Sequence, residues 1–112
     1  MLRGDAGDDR LYGGDGDDRI LGNRGSNDQV YGGAGSDTFI FARGDEGLFV
    51  RDFEDSDIVQ LNGFGYDDLD DLRADALVRD STGRVIIDIG NDRLQLSDVT
   101  VDTLSDVNFV FV

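Results

Sequence analysis

Apolar residues return at a nearly constant interval through the first forty residues. Leu11, Ile20, Val30 and Phe39 are separated by steps of 9, 10 and 9, and Asp9, Asp18, Asp28 and Asp37 keep the same phase. Each apolar residue follows a Gly- and Asp-rich stretch and precedes one more hydrophobic or aromatic residue: Tyr12, Leu21, Tyr31 or Ile40. The pattern predicts a repeating turn followed by a three-residue strand. Side chains alternate along a strand, so Leu11, Ile20, Val30 and Phe39 point inward and their neighbours point out. One such unit cannot bury its apolar residue alone, and stacked units can. Two consecutive units make one coil with a strand on each side. Units one and three then share one sheet, and units two and four the other. Tyr12 and Tyr31 become outward neighbours on one sheet, Leu21 and Ile40 on the other.

Beyond residue 40 the pattern changes. Thr38–Ala42 runs into the loop 43–47, and apolar segments at Phe49–Val50 and Ile58–Leu61 follow. Residues 66–73 read as a short helix with Leu69 and Leu72 on one face and acids near its N-terminal end, where the dipole favours them. The segments 76–80 and 84–89 read as strands around a turn at 81–83. Gly90-Asn91 allows a tight hairpin into Arg93–Leu96. One helical turn is expected near Val101–Leu104. The final strand, Phe109–Val112, would tie down the C-terminus.

Charge and composition sharpen this picture. The chain has 112 residues, enough for one domain. Its net charge is −15, with 25 acids that are all Asp except Glu46 and Glu54, and ten bases that are all Arg. The absence of His and Cys excludes a Ser-His-Asp triad, zinc fingers and iron–sulfur sites. The absence of Lys excludes a Walker A loop and Schiff-base chemistry. The charge repels nucleic acid and anionic membranes, and no apolar run is long enough to span a bilayer. Asp, unlike Glu, is a poor helix former, sits in turns and is a short, hard oxygen ligand. The alternative reading of the composition is a genome- or salt-driven bias towards Asp and Arg. A disordered linker, however, has no reason to keep Leu11, Ile20, Val30 and Phe39 in register. The Asp spacing does not fit an EF-hand: from Asp15, position 5 is Arg19 and position 12 is Ser26. Asp80-Ser81-Thr82-Gly83 departs by one residue from the aspartic-protease motif and reads as a turn.

Ten of the 16 glycines lie in residues 1–35, where they let the backbone turn sharply and aim its carbonyls inward. Gly13-Gly14-Asp15-Gly16-Asp17-Asp18-Arg19-Ile20-Leu21 and residues 32–40 fit G-G-x-G-x-D-x-U-x at every constrained position. The first unit has Asp5 at the second Gly, and the third has Asn23 there plus an extra residue near Ser26-Asn27. The chain thus resembles the RTX (repeats-in-toxin) calcium-binding β-roll modules of bacterial proteins exported by type I systems. The resemblance is closest through residue 40. Beyond it, Asp52-Phe53 and Asp57-Ile58-Val59-Gln60-Leu61 are similar to the segment that follows the roll in such proteins, although Leu48 stands where that segment usually has an Asp.

The resemblance implies an all-β fold: a right-handed parallel β-roll of nonapeptide repeats, continued by a C-terminal β-sandwich-like cap with one short helix. It implies one domain over 1–112, with repeats at 1–41 and a capping region at 42–112. It implies Ca²⁺ as the ion, held between turns by Asp9 with Asp28 and by Asp18 with Asp37. Backbone carbonyls of Gly4, Gly7, Gly13, Gly16, Gly22, Gly32 and Gly35 would supplement them, and Asp52 and Asp57 are further ligand candidates. The expected role is non-catalytic: calcium-induced folding, type I export, and support of an N-terminal partner domain in a larger extracellular protein. The start of the chain, Met1-Leu2-Arg3 directly ahead of the first turn, agrees with a fragment. A second class is a polysaccharide-binding or adhesin module, in which Tyr12, Tyr31 and Arg10, Arg19 and Arg24 form one face.

Overall fold

The computed structural model describes residues 2–3, 10–21, 26–54, 56–81, 83–100 and 108–111. Alternating polar turns and short apolar strands place successive strands in two sheets. The first contains β1 (Leu2–Arg3), β3 (Arg19–Leu21), β5 (Thr38–Ala42), β7 (Ile58–Asn62) and β11 (Phe109–Phe111), in that order. The second contains β2 (Arg10–Tyr12), β4 (Ser26–Tyr31), β6 (Glu46–Val50), β10 (Asp92–Ser97), β9 (Arg84–Ile89) and β8 (Leu77–Ser81). Strands β1 to β7 alternate between the sheets and pair in parallel, as a coil stack requires.

The register follows from the repeat. Leu11 pairs with Val30 and Ile20 with Phe39. Ile20, Val30 and Phe39 are fully buried, and Leu11 packs against the same core. Tyr12 and Tyr31 stand side by side on the outer face of the second sheet, with ring centroids 4.8 Å apart and planes 4° from parallel. Leu21 pairs with Ile40 on the first sheet. Ile40 is nevertheless buried, and Arg19 reaches from β3 past β5 to Gln60 on β7 (3.4 Å). Arg19 therefore lies on the sheet opposite the tyrosines, and the expected single face of Tyr12, Tyr31, Arg10 and Arg19 does not form. Arg24 lies outside the described residues.

Two further departures concern the third unit and the cap. The extra residue is absorbed into a lengthened strand, not a turn: Ser26 and Asn27 belong to β4 and pair with Glu46 and Gly47. Strand β6 consequently begins inside the expected 43–47 loop, at Glu46, which adopts φ 71°. The C-terminal region also extends both sheets of the roll. β10 pairs in parallel with β6, then antiparallel with β9, and β9 with β8. β11 adds in parallel to β7. The hairpin at Gly90-Asn91 falls as expected, and the helical turn expected near 101–104 lies outside the described residues.

Helix α1 (Leu69–Asp75) is capped by the Asp68 carboxylate, which accepts from the Asp71 N–H at 2.9 Å. Leu69 and Leu72 are its buried residues, and they join a core shared by Phe39, Leu61, Ile87 and Leu96 from the two sheets. Phe39→Ala is expected to lower stability by about 3–5 kcal/mol. Val110→Ala, at an exposed strand position, should change it by less than ~0.5 kcal/mol. Urea unfolding of both variants in calcium checks the pair.

Candidate metal centre at the stacked turns

Three passages from the second sheet to the first are turns that stack along one edge. They comprise residues 13–18, 32–37 and 51–57, and lead into β3, β5 and β7. Their spacing is set by the parallel pairing of those strands, so any side chain on the facing backbone must fit within one strand separation.

Glycine makes that approach possible. Gly33 has φ 84°, and a Cβ there would collide with the Gly14 carbonyl oxygen. A Cβ on Gly35 would lie 2.6 Å from the Gly16 carbonyl oxygen. A Cβ on Gly13 would meet the Gly32 carbonyl oxygen at 2.5 Å and Asp18 Oδ2 at 2.8 Å. A Cβ on Gly32 would run into Asp37 Oδ2. Turns 13–18 and 32–37 therefore face one another through carbonyl and carboxylate oxygens at close quarters.

The carboxylates also serve the backbone. Asp37 Oδ1 accepts from the Asp18 N–H at 2.9 Å, and Asp17 Oδ1 accepts from the Ser36 N–H at 2.7 Å. The other oxygens, Asp18 Oδ2 and Asp37 Oδ2, are buried with no hydrogen-bond partner among the described residues. Buried charged oxygens without partners are costly, and a cation between the turns would satisfy them. Among the described residues, no group of three acidic side chains could hold an ion by itself. Carbonyls must complete any ligand set, which suits a hard, oxygen-preferring ion such as calcium. The donors present at this interface fit that ion.

The next interface is different. The Asp52 carboxylate accepts from the Gly32 and Gly33 N–H groups at 2.8 and 2.9 Å. Asp57 accepts from the Asp37 and Glu54 N–H groups, both at 2.9 Å. Turn 32–37 is thus clamped on its C-terminal side by side-chain hydrogen bonds. The opposite edge uses the same device: Asp92 accepts from the Gly44 and Glu46 N–H groups, and Asp45 from the Ala42 N–H. The sequence reading missed Asp17, Asp45 and Asp92. Their position in turns was the available signal, but which amides they reach depends on the stacking.

Of the expected ligands, Asp18 and Asp37 meet across two turns, with Gly13, Gly16, Gly32 and Gly35 around them. Asp28 is buried within β4 opposite Leu48, not at the end of a turn. Asp9, Gly4, Gly7 and Gly22 lie outside the described residues.

Crowding of carboxylates changes their acidity. Burial pushes Asp37 up from 3.8 to about 6; the Asp18 N–H opposes this, and the charges of Asp57, Asp18 and Asp52 add to it. Burial also raises Asp57, against the N–H groups of Asp37 and Glu54.

Residues 1–27 and 25–45 match the model of the RTX calcium-binding nonapeptide repeat, in four copies. No curated protein matches the chain. The extracellular lipase LipA from Serratia marcescens has a similar fold, with TM-score 0.69 and 22% identity. That match covers 97% of this chain and 20% of the lipase, so the chain spans about a fifth of that protein's length. The AlgE6R2 subunit of the Azotobacter vinelandii mannuronan C5-epimerase matches with TM-score 0.57 and 25% identity, over 98% of this chain and 91% of that one. Fold and repeats together define a calcium-binding parallel β-roll. The match to the RTX calcium-binding nonapeptide repeat lies in the first 45 residues, and the fold of the chain is similar to that of repeat-containing solved structures.

In the ion-free chain, Asp37 keeps its proton to higher pH when folded than when unfolded. Folding therefore becomes more favourable as pH falls through about 6, and the gain is complete below the unfolded carboxylate range. Far-UV circular dichroism in chelator should show more strand at pH 5 than at pH 7.5, and Asp37→Asn should shrink that difference.

Proposed function

We propose that this chain is a non-catalytic module whose folding is coupled to calcium, within a larger secreted bacterial protein. The observation that carries the reading is the pair of buried, unpartnered oxygens, Asp18 Oδ2 and Asp37 Oδ2, between glycine turns whose carbonyls face them. On this reading Asp18 and Asp37 share an ion with carbonyls of the 13–18 and 32–37 turns. Asp9 is the corresponding candidate on the opposite edge, where Asp28 lies within β4 and not at a turn end, and Asp52 and Asp57 contribute mainly as turn clamps. Residues 1–41 hold the ions and 42–112 act as the cap of the same domain.

The energetic logic supports this role. A chain at −15 gains few short apolar strands from the roll region, while folding stacks carboxylates against one another. Each ion neutralises charge and satisfies carbonyls at once, so binding free energy becomes folding free energy. Extracellular calcium modules work at about 10⁻⁴–10⁻³ M. The chain would then stay unfolded and threadable through a type I export channel where calcium is scarce, and fold outside the cell. There it would stabilise an N-terminal partner domain. The similarity of its fold to a fifth of an extracellular lipase agrees with a part of this kind.

A calcium titration followed by far-UV circular dichroism, with magnesium as control, tests the proposal. The expected result is a cooperative, calcium-specific gain of strand near 10⁻⁴–10⁻³ M. Asp18→Asn with Asp37→Asn should move its midpoint up by about tenfold or more. A spectrum already folded in chelator and unchanged by calcium would overturn the coupling.

A further inference from the structure

The backbone holds turns 13–18 and 32–37 together at both ends. The Gly13 N–H donates to the Tyr31 carbonyl where the first of them begins, and the Thr38 N–H donates to the Asp18 carbonyl where it ends, both at 2.8 Å. Between those two bonds the turns have no strand ladder, so other contacts set the width of the gap.

Two side chains cross that gap, and they are reciprocal. Asp37, on the later turn, reaches back: its Oδ1 accepts from the Asp18 N–H at 2.9 Å. Asp17, on the earlier turn, reaches forward: its Oδ1 accepts from the Ser36 N–H at 2.7 Å. The Asp17 carboxylate rests on a glycine. A Cβ on Gly35 would lie 3.0 Å from Asp17 Oδ1 as well as 2.6 Å from the Gly16 carbonyl oxygen. Glycine at position 35 therefore admits this tie and the facing carbonyl together.

Asp17 differs from the two carboxylates beside it. Asp18 Oδ2 and Asp37 Oδ2 are buried without partners, whereas Asp17 is exposed and its bonded oxygen already has an amide. Among the described residues, no three acidic side chains gather closely enough to hold an ion, so Asp17 does not join Asp18 and Asp37 as a third carboxylate ligand. The repeat also shows where such a tie is needed. The residue just ahead of each periodic Asp is Asp8, Asp17, Asn27 or Ser36. Asn27 belongs to strand β4. Ser36 has a shorter side chain, and the turn after it is held instead by Asp52 and Asp57 on the Gly32, Gly33 and Asp37 amides. Asp17 thus braces the interface whose carboxylate oxygens are left for an ion.

We propose that Asp17 is a positioning residue for that ion: by tying Ser36 to turn 13–18 it fixes the gap between the turns and so sets which divalent cation fits. The inference rests on the calcium reading given above. Selectivity among hard cations follows from the size and rigidity of the cavity. A gap tied by a short, charge-assisted bond is stiff. Untied, it widens more easily, and strontium, a larger ion of the same charge, is then disfavoured less relative to calcium. The role needs an acceptor and not a charge. The side-chain oxygen of Asn can take the same amide, and Ala cannot.

The test titrates the full chain with calcium and with strontium, as wild type, Asp17→Asn and Asp17→Ala. Calorimetry reads ion affinity, and far-UV circular dichroism on the same samples reads folding. Asp18→Asn, which removes a ligand, marks the binding step that belongs to this gap. Asp17→Asn is expected to keep the wild-type calcium affinity and the wild-type ratio of strontium to calcium dissociation constants. Asp17→Ala should weaken calcium about threefold or more and shrink that ratio about threefold. A bond that only stabilised the fold would weaken both ions by one factor and leave the ratio unchanged. An unchanged ratio in Asp17→Ala would therefore overturn the proposal. So would an Asp17→Asn as impaired as Asp17→Ala, because the carboxylate would then act through its charge. A wild type that binds ions with no change of spectrum overturns calcium-coupled folding and leaves the Asp17 comparison decisive. A wild type that binds neither ion overturns both.

Discussion

The close stacking of turns 13–18 and 32–37 is the constraint on which the rest of the roll depends. Parallel pairing of β3 with β5 and of β2 with β4 brings each turn within one strand spacing of the next. At that separation only glycine lets the backbones pass, and the groups that meet are oxygens. The geometry that buries Ile20, Val30 and Phe39 therefore also gathers negative charge along the edge. The hydrophobic gain and the electrostatic cost come from one repeat and cannot be separated by moving either. A divalent cation resolves the conflict because it needs several oxygen ligands at once.

The roll has two solutions to the same crowding. Toward its N-terminal end, Asp18 and Asp37 each keep one buried oxygen without a partner. Toward its C-terminal end, Asp52, Asp57 and Asp92 turn their carboxylates onto backbone N–H groups of the preceding turn. A carboxylate that accepts two amide hydrogens is already satisfied. The stack therefore ends on a hydrogen-bonded turn, and its last strands continue into an antiparallel hairpin that covers the core.

Charge is also divided in space. Carboxylates of the turns run along the edges, while arginines gather on the outer face of the second sheet around Phe49 and the tyrosine pair. Strand alternation produces this division: the residues on either side of each core position project away from the core. Arg10, Arg51, Arg84 and Arg93 all occupy such positions. A net charge describes the molecule at a distance, and its faces carry different signs near contact.

The sequence by itself determined the periodic part of this protein. A nine-residue step of Gly, Asp and apolar positions has one compact outcome, so the inward residues, the pairing of alternate units, the Tyr12–Tyr31 contact and the meeting of Asp18 with Asp37 were all legible. Local turn and helix signals also located the Gly90-Asn91 hairpin and the Leu69–Leu72 face of α1. Only the tertiary structure decided what depends on neighbours distant in sequence. Ser26 and Asn27 joined a strand because Glu46 and Gly47 lay opposite them. Arg19 fell on the other sheet from Arg10. Asp52, Asp57 and Asp92 became amide acceptors because stacking placed a turn within reach. Phe49 acquired Arg84, from β9, through the strand order β6-β10-β9. Repeats encode their own contacts through a fixed period, whereas hydrogen bonds and cation–π contacts between strands depend on a register that no single segment contains.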